Sequence, residues 1–382
     1  MRKTYCFKLY RAKRNQKLHA QIELGASVYN HCIAVHRRYY RLYKKHVSLY
    51  LIHKHITKLK KLRKFQHWNQ LNSQALQDIA DRIERGYTLF FRSLKTKSNT
   101  RRAAPPSFRK RSKYRSITLK QTGYKLLEGN KIKIGKQVFR YHNSREIVGT
   151  IKTVTIKRDA LGDFYLYFSC IVDDVQPERT MTGKIAGFDF GLKTFLAISD
   201  GTDIASPQFF KRGLREIQRA NQQVSSKKRG SNNRHKARLN LARVHRKIAN
   251  QRKDFHFKTA KALTDKYDFM FFEDLNLDGM KTLWGRKVSD LGFDSFQRIL
   301  QHMATKAGSE ISQIDRWFPS SKTCHVCGSV NDSLTLRDRT WICTCGANHD
   351  RDRNAAINIL LVGASTSGLG DVRQVLAPAI AV

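Results

Sequence analysis

Acidic residues are scarce in this chain: 30 Asp and Glu stand against 73 Lys and Arg in 382 residues, a formal net charge of +43. That balance is foreign to an ordinary enzyme of small neutral molecules, and it makes a polyanion, nucleic acid first, the expected partner. A protein that merely coats phosphates would satisfy the charge equally well. Long apolar runs are also missing. No segment approaches the length of a membrane span, and nothing behind Met1-Arg2-Lys3-Thr4-Tyr5-Cys6 has the apolar run of a secretory signal, so a soluble intracellular protein is expected. The seven cysteines do not form a disulfide framework: Cys6, Cys32 and Cys170 lie singly in apolar surroundings, while Cys324, Cys327, Cys343 and Cys345 cluster in two pairs. One zinc and three free thiols fit that distribution.

With 40% hydrophobic residues the chain has enough apolar material for packed cores in two or three domains. Leu24, Val28, Cys32, Val35, Tyr39 and Leu42 recur at helical steps, as do Leu76, Ile79, Ile83, Tyr87, Phe90 and Leu94, predicting two amphipathic helices with basic residues between and beside them. From Lys95 to Arg115 the composition reads as a basic linker. Strands follow at Lys131 to Ile134, and Val154 to Lys157 and Phe164 to Phe168 flank a Gly-containing turn as in a hairpin. A second domain is expected from about Gly183. Ile185 to Phe190 and Thr194 to Ser199 read as its first strands, and the segment from Lys211 to Lys261 as basic helix with only Glu216 and Asp254 as acids. So lopsided a face would repel itself without an anionic partner. Phe269 to Phe272 reads as a buried strand, Phe293 to Ala307 as helix, Glu310 to Phe318 as strand-like, and the tail from Gly363 as poorly ordered.

The few acids fall in telling places. Asp189, in Gly187-Phe188-Asp189-Phe190-Gly191, and Glu273, in Phe271-Phe272-Glu273-Asp274, sit in apolar strands, where a carboxylate is costly to bury without a compensating cation. Asp352 follows at the start of the last helix, where an Asp is often only a cap, and Asp350 competes with it for the same role. Hard oxygen ligands from three elements, with no His ligand motif beside them, suit Mg²⁺ or Mn²⁺ and the in-line hydrolysis of a phosphodiester. The order strand, strand, helix, strand, helix matches an RNase H-like fold, with the first Asp on the first strand, the Glu at the end of the fourth and the last Asp on a late helix. The cysteine set reads as structural zinc, because four protein ligands leave no open position. Its second pair, Cys343-Thr344-Cys345, is one residue short, which leaves His325 and His349 as substitute ligands.

Gly187 to Lys193, Phe272 to Leu277 and the Cys pairs leading into Asp350-Arg351-Asp352-Arg353-Asn354-Ala355-Ala356-Ile357-Asn358 resemble the split RuvC motifs of the TnpB family, transposon-encoded RNA-guided DNA endonucleases related to the type V CRISPR effectors. Val28-Tyr29-Asn30 and Ala75-Leu76-Gln77 extend the likeness into the N-terminal lobe, and the shortened cysteine pair departs from it. The resemblance implies an α/β RuvC-like nuclease domain with a zinc-ribbon insertion, preceded by a β-rich, barrel-like wedge domain that carries a helical recognition insertion. The corresponding boundaries are 1–10 and 100–182 for the wedge, 11–99 for the recognition insertion, 183–318 and 347–362 for the nuclease domain with a basic helical segment at 205–262, 319–346 for the ribbon, and 363–382 for a flexible tail.

It further implies catalytic roles for Asp189, Glu273 and Asp352 with Mg²⁺ or Mn²⁺, Asp350 as a further acidic candidate, and structural Zn²⁺ on the four cysteines. A transposon-end-derived guide RNA and a double-stranded DNA target would be the partners of a monomer in the prokaryotic cytoplasm, beside the nucleoid. Gln77 becomes a candidate reader of a short motif flanking the target, since Gln pairs bidentately with adenine. Lys120, Gln121, Arg238, Arg246, Lys247 and Arg252 become candidate nucleic-acid contacts.

The competing readings are a guide-dependent repressor that no longer cuts and a transposase accessory protein. A tyrosine transposase would need a His-x-His metal pair, and His53-Lys54-His55 lies in a basic helical stretch. An HNH nuclease has no room between Glu273 and Asp352, an interval read as one helix, one strand and the cysteine knuckle.

Overall fold

The computed structural model describes residues 2–96, 103–120, 123–173, 181–335 and 337–370, with backbone only for residues 277, 278, 281, 283, 284, 286 and 287. The chain divides into two compact units, residues 1–174 and 175–382.

The first unit begins with β1 (Arg2–Lys8), then α1 (Gln16–Tyr43), α2 (Leu49–Leu59) and α3 (Ser73–Lys95). The strands β2 (Ser116–Leu119), β3 (Tyr124–Leu127), β4 (Lys131–Ile134), β5 (Gln137–Arg140), β6 (Thr150–Arg158) and β7 (Phe164–Ile171) follow. They form an antiparallel sheet in the order β1-β7-β6-β2 and a separate meander β3-β4-β5, with a lone bridge between Leu9 and Tyr141. Alternation sets the faces: Phe164, Leu166, Phe168 and Cys170 of β7 are buried and the residues between them are not. The expected hairpin is β6–β7, its turn closed by Asp159, whose carboxylate accepts from the N–H groups of Leu161 and Asp163 at 2.8 Å each.

The two expected helices are α1 and α3, which bury Ile22, Val28, Cys32, Ile79 and Ile83 in one core with the sheet. The helix α2 is an addition to the sequence reading. Only Ile52 and Ile56 of it are buried, a stripe too short to stand out among His and Lys. The basic linker expected from Lys95 to Arg115 is described from residue 103 onward, and apart from a short 3-10 turn at Arg111–Lys113 it forms neither helix nor strand before β2.

In the second unit β8 (Ile185–Asp189), β9 (Thr194–Ile198) and β10 (Asp203–Ala205) lead into α4 (Phe209–Arg212), α5 (Leu214–Ser225) and α6 (Asn232–Lys266). Next come β11 (Phe269–Glu273), α7 (Leu277–Leu291), α8 (Phe293–Ala307), β12 (Glu310–Ile314), β13 (Thr340–Ile342), β14 (Asn348–Asp350) and α9 (Arg351–Thr366). The main sheet runs β10-β9-β8-β11-β12. Its first three strands are antiparallel and β8, β11 and β12 parallel. Where the sequence reads one helix after Glu273 there are two, divided by Gly292 at φ +64°, a conformation that favours glycine.

One face of the sheet packs Phe188, stacked on Phe272 at 4.7 Å, against α6 and α8. The opposite face belongs to α9. There the α9 backbone comes so close that a Cβ on Gly187 would collide with the Ala356 carbonyl oxygen and stand 2.5 Å from the Leu360 nitrogen. One on Gly363 would collide with the Phe271 ring. The segment from Gly363, read from composition as a tail, is thus the last turn of α9 as far as Thr366, with Gly363 and Ala364 buried, and residues 371–382 lie outside the described residues.

The Gly187 contact involves backbone that cannot rotate away, so Gly187→Ala should destabilise the protein by about 3 kcal/mol or more, read as a lowered midpoint of thermal unfolding. A full-stability Gly187→Ala variant would show that α9 does not sit as described.

Candidate nuclease centre and zinc ribbon

Strand alternation decides where the acids point. Phe188 and Phe272 are paired neighbours on parallel strands with side chains on one face, so Asp189 and Glu273, next along each strand, turn to the α9 face at the same end of the sheet. The helix α9 crosses that face at Gly187, and Asp352 lies one turn before Ala356, in its first turn. Three segments remote in sequence thus converge, and their fields overlap. The Asp189 carboxyl is pushed up to about 7, first by burial, then by Asp352 and Glu273, with Arg351 and the Phe190 N–H opposing. Glu273 is raised as well, by burial and then by Asp274.

Asp350 and Asp352 differ in their place at the helix end. Asp350 caps α9, its side chain accepting from the Arg353 N–H at 2.9 Å, and Asp352 is left to face the other acids. Arg339 approaches Asp352 from the segment before β13, with Nη1 at 3.4 Å from Oδ2, and Arg351 Nε lies 3.6 Å from Oδ1. Arg339 escaped the sequence reading because nothing local marks it; only the folded ribbon brings it there. The donors are carboxylate oxygens, which fit a hard divalent cation. The crowding of three acids beside one another is relieved when such a cation binds.

The four cysteines form the ribbon. Their Sγ atoms all lie within 4.8 Å of one another, the spread of a four-thiolate zinc site. The short second pair closes through a tighter turn. In the first knuckle the Gly328 N–H donates to the Cys324 carbonyl at 2.8 Å, four residues back, and in the second the Gly346 N–H donates to the Cys343 carbonyl at 2.9 Å, three back. Both glycines have positive φ, +80° and +86°. The Cys343 thiol is held down to about 5 by the Cys345 N–H and then the Ser329 hydroxyl, which favours the thiolate that zinc requires. His349 Nε2 lies 3.1 Å from Cys324 Sγ, and His325 Nδ1 turns instead to Asn354 Oδ1 at 2.9 Å. The ribbon is bolted to α9, since Asn354 and Asn358 donate to the Thr323 carbonyl at 2.8 and 2.6 Å.

Among the candidate nucleic-acid contacts, Gln77 is exposed on α3, while Lys120 Nζ is paired to Asp81 Oδ2 at 2.6 Å, and Gln121 lies outside the described residues. On α6, Arg238 and Lys247 are exposed, Lys247 being 3.8 Å from Glu216, and Arg246 is half-buried. Arg252 donates to the carbonyls of Ser289 and Asp290 at 2.9 and 3.2 Å, holding the end of α7. His53 and His55 diverge: His53 faces Asp81 at 3.5 Å, and His55 Nε2 lies 3.0 Å from His31 Nε2. They do not form a metal pair. No helix among the described residues is long and apolar enough to cross a membrane.

Two outcomes follow from these groups. The carboxyl of Asp189 moves from an ordinary 3.8 to about 7, so the folded state holds an extra proton between those values and stability falls as pH rises through that window. In chelator, wild-type protein should therefore lose thermal stability relative to Asp189→Asn between about pH 4 and about pH 7; parallel curves would deny the coupling. Replacing Cys343 with Ser should lower bound zinc from about one per chain and loosen α9, read by metal analysis and hydrogen exchange; unchanged zinc content would remove this cysteine from the site.

Residues 168–283 match the OrfB_IS605 family model, described as "Probable transposase", and residues 293–359 match the Cas12f1-like TNB domain. A Streptomyces pristinaespiralis protein named "Putative RNA-guided DNA endonuclease" is 30% identical over 322 residues, covering 83% of this chain and 78% of its own. An Escherichia coli K12 protein of the same description, InsQ, is 28% identical over 325 residues, covering 79% of this chain and 77% of its own. A Cas12f1–sgRNA–target DNA complex aligns over 94% of this chain and 99% of its own at 15% identity and a TM-score of 0.36, too distant to define the fold. On its match to the Streptomyces relative across most of both proteins, the chain belongs to the TnpB family.

Proposed function

We propose that the protein is an RNA-guided DNA endonuclease of an insertion-sequence transposon, which cuts double-stranded DNA by metal-dependent hydrolysis at Asp189, Glu273 and Asp352. The observation that carries this reading is the convergence of those acids at one end of one sheet, close enough for Asp352 and Glu273 both to raise the Asp189 pKa. The sheet order, three antiparallel strands continued by two parallel ones, supports an RNase H-like (RuvC) nuclease domain. The names of the relatives support RNA guidance and a DNA target. We assign the wedge to 1–10 and 100–182, the recognition insertion to 11–99, the nuclease domain to 183–318 and 347–362, and the ribbon to 319–346, with guide RNA from the transposon end as the partner.

Divalent ions such as Mg²⁺ would supply Lewis-acid activation of water and of the leaving oxygen. The chain supplies the rest. Asp189, Glu273 and Asp352, on three rigid elements, would hold the cations, with Asp189 serving as its carboxylate. Arg339 of the ribbon and Arg351 of α9 both approach Asp352, so an intact ribbon is needed for an ordered third ligand. Exposed cations on α6, Arg238 and Lys247 among them, would track phosphates without reading sequence, and Gln77 would read a base beside the target. A repressor that has lost cleavage has no need of three acids so placed.

The test is to sequence the RNA that copurifies with the protein and to assay Mg²⁺-dependent cutting of a matching target. A discrete transposon-end transcript and cutting that falls at least about 100-fold in Asp189→Ala, with target binding retained, are expected. Heterogeneous RNA with no cutting would favour a general polyanion binder, and full-rate cutting by Asp189→Ala would remove these acids from catalysis.

A further inference from the structure

Within the first unit, the segment leading into β2 is pinned against the helices. Asn30 of α1 donates to the Arg109 carbonyl and accepts from the Arg109 N–H, each at 2.9 Å, a two-sided clamp on one backbone unit. Gly86 of α3 lets the segment come close: a Cβ there would stand 2.7 Å from Pro106 Cγ. Between these anchors lies a cavity of about 270 Å³ lined by Tyr29, Arg82, Pro106, Ser107, Arg109 and Tyr114.

Its polar groups point to an anion. Tyr114 is 3% exposed, yet its hydroxyl has no hydrogen-bond partner among the described residues, a costly condition for a buried donor. Burial also pushes this hydroxyl up to about 12, which keeps its proton in place for donation. Arg82 brings charge but few spare donors, because it already binds Asp78, the Ser116 carbonyl at 3.1 Å and the Ser116 hydroxyl at 3.2 Å. Arg109 differs: its guanidinium lies 5.2 Å over the Tyr29 ring and has no carboxylate partner among the described residues. Tyr114, with its unpartnered hydroxyl, and Arg109, with no carboxylate partner among the described residues, both line one cavity with room for a phosphate and its ester oxygens.

We propose that this cavity seats one phosphodiester group of bound nucleic acid, the Tyr114 hydroxyl donating to one non-bridging oxygen and the Arg109 guanidinium to the other. The proposal rests on the nucleic-acid reading above and adds to it a specific anchoring point. Such a contact fixes the register of the bound strand without reading its sequence. Duplex DNA beside the target and folded RNA present the same diester, so the experiment separates them.

Fluorescence anisotropy with a labelled random-sequence DNA duplex and a labelled single-stranded RNA supplies the two arms. Tyr114→Phe keeps the ring and loses only the hydroxyl, so its thermal midpoint should hold or rise, while affinity falls about tenfold on whichever strand is seated. Arg109→Gln should weaken the same probe and flatten its salt dependence by about 0.9 in slope for duplex DNA or about 0.7 for single-stranded RNA. Loss confined to one probe assigns the diester to that nucleic acid. Unchanged affinity for both probes in both variants would overturn the proposal. So would a Tyr114→Phe protein that melts lower but binds normally, since the hydroxyl would then serve the fold alone. Wild-type protein that binds neither probe would instead defeat the nucleic-acid reading on which the cavity depends.

Discussion

The second unit depends on a helix lying directly on a sheet. Where α9 crosses β8, only a hydrogen fits between Gly187 and the Ala356 and Leu360 backbone, and Phe271 fills the corresponding gap at Gly363. That contact fixes the height and direction of α9. It also fixes Asp352, one turn upstream, against strand ends that carry Asp189 and Glu273. A helix held a residue's width higher would leave three separate acids and no common site.

The same helix joins two chemistries. Its N-terminus is capped by Asp350, the last residue of β14, which pairs with β13 of the ribbon, and Asn354 and Asn358 tie its next turns to the first cysteine knuckle. The ribbon also places Arg339 against Asp352. On the proposed reading, zinc would support the acidic centre from outside: four thiolates would keep a small loop-rich module rigid, and that module presents Arg339 to Asp352. This gives a physical reason for the cysteine pairs to run straight into the last acidic motif in the sequence.

Much of this was legible from residues alone. Asp189 and Glu273 announce themselves because each interrupts an apolar strand in which no salt-bridge partner is near in sequence. The ribbon announces itself through paired cysteines. The sequence ranks Asp352 ahead of Asp350 only through the family resemblance, since both suit a helix start; in the structure Asp350 accepts from the Arg353 N–H. Other features were hidden for reasons of scale. The strand β10 has three residues, too few for alternation, α2 has a two-residue buried stripe, and Gly279 and Gly285 interrupt the periodicity of α7. The cationic residues show the limit of composition: Lys120 and Arg252, equivalent to their neighbours in a charge count, are engaged with Asp81 and with the end of α7.

The central claim is that Asp189, Glu273 and Asp352 are one metal centre. Anomalous diffraction at the manganese edge from crystals soaked in Mn²⁺ tests it most directly. The account predicts a peak bounded by these three carboxylates, distinct from the zinc peak among the cysteines and absent in an Asp352→Ala crystal. Manganese found elsewhere, or a peak that survives the loss of Asp352, would contradict it.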